Sequence, residues 1–142
     1  MKIYKLTLVT DEVVEAFANL IPQLAPGCQL PTKGDLEAIV NSNQTLLFMA
    51  EEHNEILGTM TLVVNKIPTG DKVWIEDVVV DKSARGKGVG VKLIQFSIDY
   101  AKTEKLMSIN LTSSPERIAA NQLYQKLGFV QRETNVYRLT LK

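Results

Sequence analysis

The run Arg85-Gly86-Lys87-Gly88-Val89-Gly90 constrains this chain more than any other segment. It lies between a strand-like stretch, residues 74–80, and a segment in which Val89, Leu93, Phe96 and Tyr100 recur at helical spacing. Glycines at alternate positions leave little side-chain bulk where the chain passes from strand to helix. The first N–H groups of a helix lack intrahelical partners and carry a partial positive charge, so such a turn suits a phosphate. Arg85 and Lys87 add full positive charges that pair with phosphate oxygens. The unit is expected to be a strand, a pyrophosphate cradle and a helix.

Two common phosphate loops do not fit. A dinucleotide fingerprint needs Gly-x-Gly-x-x-Gly, and here the third glycine arrives one position early. A Walker A loop needs Ser or Thr after Gly-Lys, whereas Gly88 follows Gly86-Lys87. The run does match Arg-x-x-Gly-x-Gly through Arg85, Gly88 and Gly90. In this it resembles the acyl-CoA pyrophosphate loop of the GNAT superfamily of N-acyltransferases. The neighbouring segments extend the likeness. Ile75-Glu76-Asp77-Val78-Val79-Val80-Asp81 precedes the loop, and Ala120-Asn121-Gln122-Leu123-Tyr124-Gln125-Lys126-Leu127-Gly128-Phe129 follows it.

Composition narrows the classes. The chain has 142 residues, the size of one domain, and 45% of them are apolar, as in a globular protein. Sixteen basic and sixteen acidic residues cancel, so no broad nucleic-acid or anionic-membrane surface is expected. Cys28 is the only cysteine and His53 the only histidine. A disulfide framework and a Cys/His zinc site are excluded, and no metal is expected. His53 reads as a hairpin-turn residue, and Cys28 as a loop or packing cysteine rather than an acyl-carrying nucleophile. Without a signal-peptide core or the ~18 apolar residues of a membrane span, a cytoplasmic location is expected.

Periodicity gives the order of elements. Residues 2–9 read as a strand, and Asp11 caps a helix to about residue 24 with Val14, Phe17, Ala18 and Ile21 on its apolar face. Pro22, Pro26, Gly27 and Pro31 break the chain before a second helix over residues 35–43. Residues 46–51 and 56–65 form an antiparallel pair, followed by a strand over residues 72–81 and the helix after the glycine loop. Residues 108–112 read as a short strand. Ser113-Ser114-Pro115-Glu116 reads as a capping box for a helix that Gly128 ends, and residues 129–132 and 136–141 as two closing strands. This order, β-α-α-β-β-β-α-β-α-β-β, is also that of the GNAT fold. The resemblance implies one α/β domain over residues 1–142, a three-layer α/β/α structure. Its mixed sheet is splayed between the fourth and fifth strands, with acyl-CoA in the cleft.

Alternation in the strand over residues 72–81 puts Glu76 on a face with Trp74, Val78 and Val80, and Asp77 on the other. Burial among apolar neighbours would make Glu76 a usable base, which an amine acceptor requires because it is mostly ammonium at neutral pH. The resemblance implies the same role, through water, with Asp77 as the alternative. It implies that Tyr124, in Tyr-x-x-x-Gly-Phe, protonates the departing thiolate. Asn121, one turn earlier, would contact the pantetheine arm. Val78, Val79 and Val80 would supply backbone groups to the pantetheine and the thioester oxygen. Arg85, Gly86, Lys87, Gly88, Val89 and Gly90 would hold the pyrophosphate. The implied reaction moves an acetyl group from acetyl-CoA to a primary amine on a small molecule or peptide. A non-catalytic acyl-CoA-binding or regulatory module is the alternative, disfavoured because a binder needs neither Glu76 nor Tyr124. Homodimers are common in the superfamily. Residues 20–35 and 133–136 would select the acceptor, and neither carries a recognisable pattern.

Overall fold

In the computed structural model, which describes residues 1–142, the apolar runs flanking His53 become a long hairpin. Its arms are β2, Thr45–Glu52, and β3, Glu55–Ile67. His53 and Asn54 join them with φ values of 52° and 62°, the positive pair that a two-residue hairpin turn requires. The chain forms two compact units, Met1–Leu111 and Thr112–Lys142.

In the first unit β1, Lys2–Lys5, and β4, Gly70–Val80, flank the hairpin in the antiparallel order β1-β2-β3-β4. Leu46, Leu47, Phe48, Met49 and Ala50 are all buried, so β2 is covered on both faces. On one face lie α1, Asp11–Leu24, and α2, Lys33–Val40. Leu6, Val9, Val13, Phe17 and Leu36 pack there against Leu47 and Met49. On the other face lies α3, Val89–Thr103. Phe48 meets Phe96 and Tyr100 edge-on there, at ring-centre distances of 4.9 and 5.5 Å.

The helix boundaries differ from expectation where local hydrogen bonds decide them. Thr10, not Asp11, caps α1, accepting from the Val13 N–H at 3.3 Å. The buried stripe of α1 is Val13, Phe17 and Leu20, while Ala18 is exposed. Pro22 does not break this helix but sits in its last turn. For α2, Thr32 and Asp35 exchange reciprocal capping bonds of 3.1 and 2.9 Å, so the helix starts at Lys33 and ends at Val40. These bonds, led by the one from the Thr32 backbone, hold the Asp35 carboxyl below its usual value.

The expected strand over residues 108–112 shrinks to a single parallel bridge between Asn110 and Trp74. Asn110 donates its N–H to Val73 O and accepts from the Ile75 N–H, both at 2.8 Å. No further pairing joins this segment to β4. The second unit holds α4, Ile118–Lys126, which starts four residues later than a capping box led by Ser113 would place it. Arg117 takes the N-cap without a side-chain bond, so the capping box over residues 113–116 does not form. Residues 129–132 and 136–141, expected as two closing strands, adopt no strand, despite the alternation within 136–141. Val136, Tyr137, Leu139 and Leu141 remain exposed. Alternation sets which way side chains point, but a strand also needs a paired ladder, and a two-stranded hairpin by itself is marginal in water.

One residue that the sequence did not single out sets how closely α3 approaches the sheet. Gly58 in β3 is buried, and a Cβ there would lie 2.9 Å from Val79 O, 3.2 Å from Val89 Cγ1 and 3.4 Å from Leu93 Cδ1. The carbonyl is backbone and has little room to move. Gly58→Ala should therefore lower unfolding stability by about 1–3 kcal/mol, the usual cost of overpacking. Thermal unfolding checks this, since an unaltered melting temperature would mean that α3 has slack at its first turn.

Candidate active site

The first unit brings together residues 76–90, which hold most of the expected site. In β4, Glu76 pairs with Thr61 and Val79 with Thr59. Two residues, Asp77 and Val78, therefore stand opposite Met60 alone. This is a β-bulge, and Asp77 carries the positive φ of 50° that such a position often needs. Asp tolerates that region better than most side chains do.

The bulge corrects the expected facing of the strand. Directly opposed residues share a face, as do residues two apart. Glu76 and Val79 thus lie on the face of Thr61 and Thr59, which is the α1–α2 side because those residues pair with Leu47 and Met49. Trp74, opposite Val63, shares that face, whereas Val80, opposite Gly58, turns to the α3 side. Glu76 is exposed, so the apolar enclosure expected around it is absent.

Past β4 the chain makes a short 3-10 turn, Lys82–Ala84, and enters the glycine loop. Gly86 and Gly88 have φ values of 83° and 78°. Nothing lies within 4 Å of where their Cβ atoms would be, so conformation rather than space requires glycine at both. Gly88 is the N-cap of α3 and offers no side-chain bond. Lys92 N–H makes the first bond of the helix, to Gly88 O at 3.1 Å, so the amides of residues 88–91 precede the ladder. Arg85 and Lys87 are exposed beside them. Bare amides, an open surface and two cations fit a pyrophosphate. Val89 is buried and anchors the helix start. Gly90 has helical φ, with Val80 Cγ2 at 3.8 Å from its would-be Cβ.

Asp81 holds the start of the loop. Its carboxylate accepts from the Ser83 N–H at 3.2 Å, from Asn19 Nδ2 at 2.8 Å and from Gln23 Nε2 at 3.5 Å. These bonds, led by that from the Ser83 backbone, hold its pKa below the ordinary 3.8. Asn19 and Gln23 lie on α1, and nothing in the loop pattern signals them.

In the second unit Asn121 donates from Nδ2 to Ser114 O at 2.9 Å and Arg117 O at 2.8 Å. Its donor end is occupied, which leaves the side-chain oxygen for any ligand. Tyr124 is half-buried. Its pattern with Gly128 and Phe129 also ends α4: Phe129 N–H bonds Tyr124 O at 2.9 Å and Gly128 N–H bonds Gln125 O at 3.0 Å. This is a Schellman cap, with Gly128 at φ 102° and the Tyr124 and Phe129 rings 6.0 Å apart edge-on. Cys28 and His53 are exposed, and no cluster of three or more His, Cys, Asp or Glu could hold a metal ion. No helix is long and apolar enough to cross a membrane.

The family model of the acetyltransferase (GNAT) family matches residues 12–129. An uncharacterized N-acetyltransferase of Bacillus subtilis is 33% identical over 98 residues, covering 66% of this chain and 68% of that protein. A probable glucosamine 6-phosphate N-acetyltransferase of rice, Oryza sativa subsp. japonica, is 36% identical over 86 residues, 58% of this chain and 50% of that one. A mycothiol acetyltransferase of Renibacterium salmoninarum is 34% identical over 87 residues. That match covers 60% of this chain but only 26% of the relative. Among solved structures, an aminoglycoside acetyltransferase from an uncultured soil metagenomic sample, bound to sisomicin, superposes with a TM-score of 0.84. It is 20% identical, over 99% of this chain and 96% of that one. An aminoglycoside acetyltransferase bound to a CoA bisubstrate analogue superposes with a TM-score of 0.78 at 22% identity, over 98% and 97% of the two chains. At that identity the superpositions establish the fold. The family match spans most of the chain, so the protein belongs to the acetyltransferase (GNAT) family and is an acyltransferase.

Two predictions follow from the loop geometry. Gly88→Ala should destabilise the fold by about 1–2 kcal/mol because an L side chain strains that backbone. Gly90→Ala should be neutral or stabilise by up to about 1 kcal/mol, since a helical glycine gains from a Cβ. Denaturant unfolding of the pair tests the contrast, and equal effects would contradict it. The low pKa of Asp81 means that its hydrogen bonds add stability above pH 3.8, lost as pH falls through the lower folded value. The melting-temperature difference between wild type and Asp81→Asn should therefore be full at neutral pH and vanish in strong acid.

Proposed function

We propose that the protein transfers the acetyl group of acetyl-CoA directly to a primary amine, and that residues 1–142 act as one catalytic domain. The observation that carries the reading is the uncapped start of α3, opened by Gly86 and Gly88 and flanked by Arg85 and Lys87. The backbone of residues 85–90 would take the pyrophosphate. The lone bridge at Asn110 supports the next element, because it leaves β4 from residue 76 onward without a partner on that side. The backbone of Val78, Val79 and Val80 would pair there with the pantetheine arm like an added strand. The Asn121 side-chain oxygen would accept a bond from a pantetheine amide.

Glu76 is the proposed base, acting through water, which suits an exposed carboxylate better than direct contact would. The amine nitrogen attacks the thioester carbon, its proton leaves towards Glu76, the C–S bond breaks, and the thiolate takes a proton from Tyr124. A phenol remains protonated at neutral pH and so is available as the donor. The acceptor class follows the relatives only in kind: an amine on a small polar molecule such as an amino sugar or an aminoglycoside. A cytoplasmic location agrees with the supply of acetyl-CoA.

A panel of amines with acetyl-CoA, read by released thiol, tests the reaction. Saturating acetyl-CoA should stabilise the protein, by about 2.7 kcal/mol at 100 times its dissociation constant. Gly88→Glu should remove that effect, and a melting temperature blind to acetyl-CoA in wild type would refute the reading. Glu76→Gln should keep acetyl-CoA affinity while lowering neutral-pH turnover by about 10²–10⁴-fold. Tyr124→Phe keeps the ring against Phe129, so its loss of turnover should be greatest at neutral pH, where the thiolate most needs a proton.

A further inference from the structure

The start of the glycine loop is fastened to α1. Asn19 and Gln23 are four apart and so lie on one helix face. Asn19 Nδ2 donates to Asp81 Oδ2 at 2.8 Å. Gln23 takes the other oxygen, Oδ1, at 3.5 Å, and its Oε1 accepts the Lys82 N–H at 2.9 Å. Gln23 Nε2 also bonds the Asn19 backbone carbonyl at 3.1 Å and the Asn19 Oδ1 at 3.4 Å, and the second contact ties the two side-chain amides together. Asp81 in turn is fixed by its own N–H to Leu57 O and by its carbonyl to the Ala84 N–H, both at 2.8 Å. The chain is thus held at Asp81, Lys82 and Ser83, immediately before Arg85.

We propose that Asn19 and Gln23 are positioning residues for the acyl-CoA pyrophosphate, acting by turning the Asp81 carboxylate towards α1 and fixing the loop ahead of Arg85. The proposal rests on the acyl-CoA reading of residues 85–90. Two physical effects combine. A loop whose start is pre-set loses less conformational freedom when the ligand binds. A carboxylate four residues before an anion cradle would otherwise repel the pyrophosphate and compete for its N–H donors. With both oxygens occupied by α1 amides and the Ser83 N–H, that charge is held on donors other than the bare amides of α3.

Calorimetric titration of the full chain with acetyl-CoA tests this. S-acetylpantetheine, which lacks the pyrophosphate, is followed in parallel at millimolar concentration by chemical-shift titration. In the Asn19→Ala, Gln23→Ala double variant the dissociation constant for acetyl-CoA should rise about three- to thirtyfold, the range expected for lost hydrogen bonds to a charged, partly solvated group. The constant for S-acetylpantetheine should stay unchanged. Asn19→Asp alone should weaken acetyl-CoA further, by setting two carboxylates together. Combining it with Asp81→Asn exchanges donor and acceptor and should restore most of the affinity. An unchanged acetyl-CoA constant in the folded double variant overturns the proposal, as does equal weakening of both ligands. If the double variant does not fold, failure of the donor–acceptor exchange to restore affinity overturns it. Wild-type protein that binds no acetyl-CoA would refute the acyl-CoA reading itself, a separate outcome.

Discussion

In β4 one extra residue stands between the pairs Thr61–Glu76 and Thr59–Val79, and the first unit is arranged around that insertion. Because side chains alternate with a period of two, one added residue moves everything after it to the opposite face. Glu76 stays on the α1–α2 side, while Val80 turns towards α3 and meets its first turn at Gly90. The same shift brings Val79 O against Gly58, where only the missing Cβ lets strand and helix come so close. A regular β4 would have reversed the facing of residues 79–80 relative to the residues before the bulge.

The glycines of the loop, together with Gly58 beneath it, fill three different kinds of position. Gly86 and Gly88 supply backbone angles that L residues rarely adopt. Gly90 is an ordinary helical position where a Cβ would reach only van der Waals contact with Val80 Cγ2, at 3.8 Å. Gly58, far off in sequence, provides the close approach that holds α3 on the sheet. A bare helix start is therefore secured from below by packing and from before by the hydrogen bonds at Asp81. Backbone N–H groups bind an anion best when they are already aligned, so rigidity here would serve the proposed pyrophosphate contact.

The second unit shows that the pattern from Tyr124 to Phe129 has a structural role of its own. Gly128 and Phe129 close α4 through bonds to the carbonyls of Gln125 and Tyr124, and the Phe129 ring settles against Tyr124. That edge-on contact packs the Tyr124 ring against the helix cap. Asn121 spends its two amide hydrogens on the carbonyls of Ser114 and Arg117. It stabilises the entry to α4, where no side chain caps the helix. Such local satisfaction means that a family pattern has structural content before any ligand is considered.

Local sequence settled a good deal. The hairpin about His53, the run of α3 from the glycine loop and the stop at Gly128 all follow from short-range preferences, and short-range preferences are written in adjacent residues. The family likeness was legible for the same reason. Tertiary structure decided the rest. The bulge at Asp77 has no glycine to announce it and shows only in the register of β3 against β4. Gly58 reads as a plain strand residue until α3 packs on it. Asn19 and Gln23 find Asp81 about sixty residues away, a pairing that no spacing rule encodes. The alternation over residues 136–141 pointed to a strand, yet alternation specifies only the direction of side chains. Whether a backbone joins a sheet depends on a partner strand, and that is a property of the folded chain.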